Sequence, residues 1–253
     1  MVQAWIPSAD YVLAVNIPAW SLSCEAFFYL MFPFVIVWFH KSSDKRLIFL
    51  GVGLVATTIA IASAATFLSA DSTSGFFPDW IAIFLPLTRF PEFMLGAILA
   101  ISLRRGLIRR QVPLWPAVIL ALVSLAWASI DESYFRIAAV PVVPFLLLIA
   151  ATAQLDLRGK RSILKTNVAQ ALGRWSYSFY LIHVFCIAAV HTLAEKFGVA
   201  DLGQGWLVWT STLIVSIAGS AGLHRFIEQP ANNYLIGLDN KRTQKRDGIY
   251  LRS

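Results

Sequence analysis

Ile17-Pro-Ala-Trp-Ser-Leu-Ser-Cys-Glu-Ala-Phe-Phe-Tyr-Leu-Met-Phe-Pro-Phe-Val-Ile-Val-Trp-Phe39 is an apolar run carrying a single carboxylate, and it ends on His40-Lys41. It exceeds the roughly 20 apolar residues that a helix needs to cross a hydrocarbon core. Six further runs follow at short intervals: Leu47–Ser69, Trp80–Leu103, Leu114–Ile130, Tyr134–Leu155, Leu172–Ala194 and Trp206–Ile227. The composition agrees, with 58% hydrophobic and only 14% charged residues and a mean hydropathy of +0.67. A soluble domain of this size could not hide so much apolar surface, whereas a bilayer makes hiding it unnecessary.

The net charge of +7 raises nucleic acid as a partner. The basic residues fall between the apolar runs, however, which excludes a single basic patch and leaves the lipid bilayer as the expected partner. All of the 21 Lys and Arg residues except Arg89, Arg136 and Lys196 lie in alternate connections, at the span ends beside them (Arg174 and Arg225), or in the carboxyl-terminal tail. Cytoplasmic loops retain positive charge, so the amino terminus is expected outside and the carboxyl terminus inside. The expected fold is all-α, a polytopic membrane helix bundle of about seven transmembrane helices. One bundle is read over residues 1–230, with a basic cytoplasmic tail at 231–253. The expected location is a cell membrane, multi-pass, the bacterial inner membrane being the specific assignment. Cys24 and Cys186 sit in apolar runs and read as small buried hydrophobes, so neither a disulfide framework nor a metal site is expected. Met1–Ala9 lacks the basic start and cleavage site of a secretory leader.

Polar groups inside lipid are expensive and mark candidate sites. Glu25 has Ser21 and Tyr29 at i−4 and i+4, where both hydroxyls could donate to it; the alternative is a polar ladder that joins helices. Pro86 and Pro91 break the third run, which predicts non-helical backbone before a helix that starts at Pro91, and a cavity near Arg89. Arg89 and Glu92 could neutralise each other, or the guanidinium could bind an anionic group. Ser176, Tyr180 and His183 share a face of the sixth run, where a hydrogen-bonded core histidine is the plainer reading. His224, Arg225 and Glu228 read as a snorkelling ion cluster that ends the last helix. Ala56, Ala60 and Ala64, with Ala218 and Gly222, read as helix-packing stripes.

Four segments together resemble the acyltransferase 3 family, membrane enzymes that O-acylate surface polysaccharides, lipid-linked sugars and related acceptors. Trp20-Ser-Leu-Ser-Cys-Glu-Ala-Phe-Phe-Tyr29 resembles its Trp-Ser-Leu-x-x-Glu-x-x-Phe-Tyr signature. Arg89-Phe-Pro-Glu-Phe-Met-Leu-Gly96 is similar to its Arg-x-x-x-Phe-x-x-Gly region. Gly173-Arg-Trp-Ser-Tyr-Ser-Phe-Tyr-Leu-Ile-His183 is similar to its Gly-x-x-Ser-Tyr-x-x-Tyr-Leu-x-His stretch, and Phe226-Ile-Glu-Gln-Pro230 to its closing Phe-x-Glu-x-Pro.

The resemblance implies an acyltransferase that uses acyl-CoA, acetyl-CoA above all, with no metal, and a hydroxyl of a glycan acceptor. It implies supporting catalytic roles for Glu25, Arg89 and His183, and substrate contacts for Trp20, Ser21, Tyr29, Glu92, Ser176 and Tyr180. The family's catalytic histidine follows a basic residue and ten others. The residues eleven positions before His40, His183, His191 and His224 are Tyr29, Leu172, Tyr180 and Leu213. The chain is therefore expected to correspond to the carboxyl-terminal two-thirds of the family, as a partial domain with the amino-terminal catalytic spans missing upstream. A non-catalytic remnant and a small-solute transporter are the alternatives.

Overall fold

The computed structural model describes residues 2–14, 16–71, 73–159, 165–197, 206–234 and 236–237. The basic residues Lys160 and Arg161, and those from Lys241 onward, lie outside them, as does most of the tail. Among the described residues every regular element is helical. The principal helices are α1 (Trp20–Lys41), α2 (Asp44–Ser69), α3 (Pro86–Arg104), α4 (Leu114–Ile130), α5 (Val142–Leu157), α6 (Asn167–Lys196) and α7 (Trp206–Leu223).

With their helical extensions, five of these are long and apolar enough to cross a membrane. The exceptions, α4 with 17 residues and α5 with 16, extend about 25 Å at 1.5 Å per residue. The chain is a multi-pass membrane protein. It divides at Ser162/Ile163 into two compact units, a boundary that falls inside the stretch read from sequence as one bundle.

In the first unit α3 is central, packed against α1, α2 and α5, while α4 packs on α5. Phe39, Leu47, Ile98 and Ile101 form a buried core where α1, α2 and α3 meet. Polar side chains tie the helix ends. Ser43 caps α2, accepting from the Arg46 amide at 3.4 Å. Arg105 donates to the carbonyls of Ser42 (2.8 Å) and His40 (2.8 Å) and to Asp44 Oδ1 (2.9 Å). α3 stops in a left-handed turn at Gly106, φ +67°. There the Leu107 amide donates back to the Ser102 carbonyl at 2.9 Å, which satisfies an otherwise orphaned acceptor. Gln154 fastens the following loop through the Val112 amide (2.9 Å) and the carbonyls of Ile108 (3.3 Å) and Arg110 (3.2 Å).

The break in the third run lies one residue before Pro86. A π-helical turn, Trp80–Phe84, ends at Leu85, whose ψ of 120° is extended, and α3 begins at Pro86. The residue before a proline is pushed out of the helical region, and Pro86 occupies the position where a missing N–H costs nothing. Pro91, expected to start the helix, lies inside it. The carbonyls released by the break find side-chain partners: Thr88 Oγ1 reaches Ile81, and Cys24 Sγ lies 3.5 Å from Phe84.

The expected fifth span begins late. Tyr134–Arg136 forms a 3-10 turn, and the helix starts after Pro141. The expected small-residue stripes are displaced too. Ala56, Ala60, Ala64 and Ala218 are exposed and Gly222 is only half-buried. The small residues that are buried are Thr58, Ala62 and Ala65 on α2, and Thr212, Ser216 and Ser220 on α7.

The second unit is the pair α6 and α7 packed on each other. They pack tightly at Gly219, where an added Cβ would stand 2.9 Å from Ile182 Cδ1. The α7 helix does not end at His224. It continues through a π-helical turn, His224–Glu228, and on to Tyr234.

Candidate functional site

Within the first unit, Trp20, Ser21, Cys24, Glu25 and Phe28 of α1 face Arg89, Glu92 and Phe93 of α3 across an open cleft of about 280 Å³. Helical spacing produces both walls: Ser21, Glu25 and Phe28 recur at three or four residues on α1, as do Arg89, Glu92 and Phe93 on α3. The expected cavity near Arg89 is present. Rings stiffen it: Phe28 stacks on Phe93 with centroids 5.1 Å apart, and Trp20 meets Phe84 edge-on at 5.1 Å. These contacts hold α1 against the broken segment, so both charged walls keep their register.

Arg89 Nη1 lies 2.9 Å from Glu92 Oε1. This is the pair anticipated from their spacing, and it leaves the remaining guanidinium N–H groups for a ligand. Although close to Arg89, Glu92 Oε1 is buried and receives no well-directed hydrogen bond. Glu25 is half-buried, with no hydrogen-bond partner among the described residues. The expected donors are elsewhere. Ser21 Oγ donates to the Pro18 carbonyl at 3.1 Å, because a hydroxyl in the first helical turn competes for nearby backbone acceptors. Tyr29 is 67% exposed and absent from the cleft wall. Glu25 thus presents its carboxylate to the cleft without an internal partner.

Behind Arg89, Tyr134 Oη donates to Asp79 Oδ1 at 2.9 Å. Burial, and then the carboxylate it faces, push the phenol up to about 12. Tyr134 therefore stays neutral at any ordinary pH.

His183, Ser176 and Tyr180 belong to the second unit. Nδ1 of His183 lies 2.7 Å from the Tyr180 carbonyl oxygen. A carbonyl can only accept, so Nδ1 carries the proton and Nε2 presents its lone pair in the neutral ring. The ring stacks on Phe179 at 6.0 Å. Ser176 Oγ donates to the Gly173 carbonyl at 2.8 Å.

His224 and Glu228 depart from the snorkelling cluster expected at a helix end. Glu228 Oε2 accepts from Ser178 Oγ at 2.7 Å and lies 3.1 Å from His224 Nδ1. The π-helical turn rotates the carboxylate back toward α6, where Ser178 is 1% exposed. Sequence reading missed Ser178, whose signal was its position two residues after Ser176 in the same motif. It also missed Cys24, Phe28 and Phe93 in the cleft, which read as ordinary apolar residues of a span.

A sequence model described as an acyltransferase domain, that of the acyltransferase 3 family, matches residues 3–225. The chain belongs to the acyltransferase 3 family. The family match covers the cleft and reaches into the second unit as far as residue 225, taking in Ser178 but stopping short of Glu228. The chain is also 33% identical over 246 residues to Acyltransferase MdmB of Streptomyces mycarofaciens, an alignment that takes in 93% of this chain and 62% of that protein. The chain thus spans about three-fifths of the length of the curated relative it matches. No solved structure matches this acyltransferase 3 member.

Proposed function

We propose that this family member transfers an acyl group from acyl-CoA, acetyl-CoA in the simplest case, to a hydroxyl of a cell-surface or exported glycan at the bacterial inner membrane. The supporting observation is the cleft that gathers Glu25, Arg89 and Glu92 behind an aromatic wall. In the reaction the acceptor oxygen bonds to the thioester carbon, the carbon–sulfur bond breaks, and the hydroxyl proton ends on the CoA thiol. Such a reaction needs a group to orient the hydroxyl or take its proton, and a cation where negative charge develops on the carbonyl oxygen.

Glu25, with no internal partner, fits the first requirement. Arg89, with donors left over from Glu92, fits the second, and Glu92 holds that guanidinium in place. Trp20, Phe28 and Phe93 offer apolar faces to a substrate. His183, Ser176 and Tyr180 are assigned supporting roles by the family resemblance alone.

The test is transfer of label from radioactive acetyl-CoA to the glycan fraction of membranes that carry the protein. Label that depends on both Glu25 and Arg89 supports the reading. Undiminished labelling in the Glu25→Gln and Arg89→Lys variants would exclude the cleft as the site of transfer.

A further inference from the structure

A second space borders the cleft in the first unit. It is a cavity of about 380 Å³, open on one side like the cleft, and lined by Glu92 and Gly96 of α3, Leu125 of α4, and Ala138, Phe145 and Leu146 in and before α5. Its volume falls in the range of small-molecule sites. Arg136 and Glu92 are its charged borders, and the rest of its wall is apolar or backbone. Glu92 also stands on the cleft wall. A water-sized void of about 10 Å³ shares Arg89 and Glu92 with the cleft wall, and Glu92, Ile137 and Ala138 with the second space.

Gly96 lies one helical turn past Glu92 on the same face of α3. A Cβ built at Gly96 meets no atom within 4 Å. A side chain placed there has room in the cavity and displaces no neighbour.

We infer that this cavity receives the hydrocarbon chain of the transferred acyl group, and that the absence of a side chain at Gly96 keeps its entrance open to chains longer than acetyl. The inference rests on the acyl-transfer reading of the adjoining cleft. A thioester carbonyl beside Arg89 has Glu92 as its neighbour, and beyond Glu92 along α3 the space is apolar. An acetyl group carries one methyl and needs no such chamber. A chain of several carbons leaves water for an apolar wall, a gain of about fourfold in affinity per methylene buried. The missing side chain at position 96 leaves the end of the chamber nearest the carbonyl open, so a chain longer than acetyl can enter it.

The experiment uses octanoyl-CoA with a photoreactive diazirine near the chain end, applied to membranes carrying the protein, with the labelled peptide mapped by mass spectrometry. Binding of radioactive acetyl-CoA is measured beside it. The expected label falls within residues 137–149, and unlabelled octanoyl-CoA protects at least about tenfold better than acetyl-CoA, the gain from burying only two of its methylenes. Gly96→Leu should reduce the label about tenfold and leave acetyl-CoA binding unchanged, with Gly96→Ala in between. Should Gly96→Leu fail to accumulate, Ala138→Leu fills the chamber from the opposite wall and must give the same loss. Label on other segments, label undiminished in the filled variants, or displacement by phospholipid but not by octanoyl-CoA would each overturn the inference. Acetyl-CoA binding without chain labelling overturns the chamber alone. Failure of acetyl-CoA and octanoyl-CoA alike to bind overturns the acyl-transfer reading with it.

Discussion

Ser178 Oγ donates to Glu228 Oε2 at 2.7 Å, a contact between residues 50 positions apart that joins α6 to the π-helical turn after α7. It places a negative charge against a hydroxyl that is itself buried. Hydrogen bonds to charged acceptors contribute more than neutral ones, and losing the donor leaves the carboxylate under-solvated. A double-mutant cycle of Ser178→Ala and Glu228→Ala, read by thermal unfolding in detergent, should give a coupling of about 1 kcal/mol. Additive losses would show that the two side chains act independently.

Arg105 and Asp44 form an ion pair at 2.9 Å, yet the two partners carry unequal weight. Asp44 is 55% exposed and its pair is worth little, whereas Arg105 also donates to the backbone carbonyls of Ser42 and His40 at the end of α1. Arg105→Ala is expected to cost about 2 kcal/mol, through several carbonyls left unpaired. Asp44→Ala should cost under about 0.5 kcal/mol. Equal losses from the two changes would mean that the ion pair, and not the carbonyl cap, fastens the end of α3 to the α1–α2 connection.

Glu25→Gln should reduce acyl transfer by about a hundredfold, the lower range for a positioned acid–base group. Membrane levels should not change, because no hydrogen bond to the carboxylate is lost. Arg89→Lys should also impair transfer, since an ammonium cannot pair with Glu92 and keep the remaining planar donors. Quantitative labelling with radioactive acetyl-CoA, normalised to protein by immunoblot, separates loss of chemistry from loss of protein.

The charge alternation of the connections predicts a definite orientation. Over the background of Cys24 and Cys186, Lys45→Cys should resist a membrane-impermeant thiol reagent in intact cells, and Glu132→Cys should react. Both positions are exposed at connections. The opposite pattern would invert the topology.

The helical runs were legible because length and apolar content are properties of a segment taken whole. The break beside Pro86 was legible because a proline dictates the backbone of its predecessor. Rotation of a helix about its axis was not. On α2, Ala56-x-x-x-Ala60-x-x-x-Ala64 and Thr58-x-x-x-Ala62 look alike in sequence, yet the second is buried and the first exposed. In a soluble protein, polarity would mark the outward face; a helix in lipid is apolar on both. Tyr29 went astray for the same reason, since a hydroxyl four residues from Glu25 need not turn toward it. Pro91 misled differently: Pro86, five residues earlier, already starts the helix, and Pro91 can continue it with the loss of one hydrogen bond. The gathering of Trp20, Glu25, Arg89 and Glu92 was partly readable, because each pair is local to one helix. The close approach of α1 and α3 came from ring packing that no spacing encodes.

The narrow gap between Gly219 and Ile182 makes those two positions a shared allotment of volume. A methyl added at 219 meets the flexible tip of an isoleucine, which shortening that tip to valine would accommodate. The interface therefore constrains the sum of the two side chains more tightly than either residue. Sequences descended from a common ancestor with this one should trade bulk between the two sites, a larger residue on α7 accompanying a smaller one on α6.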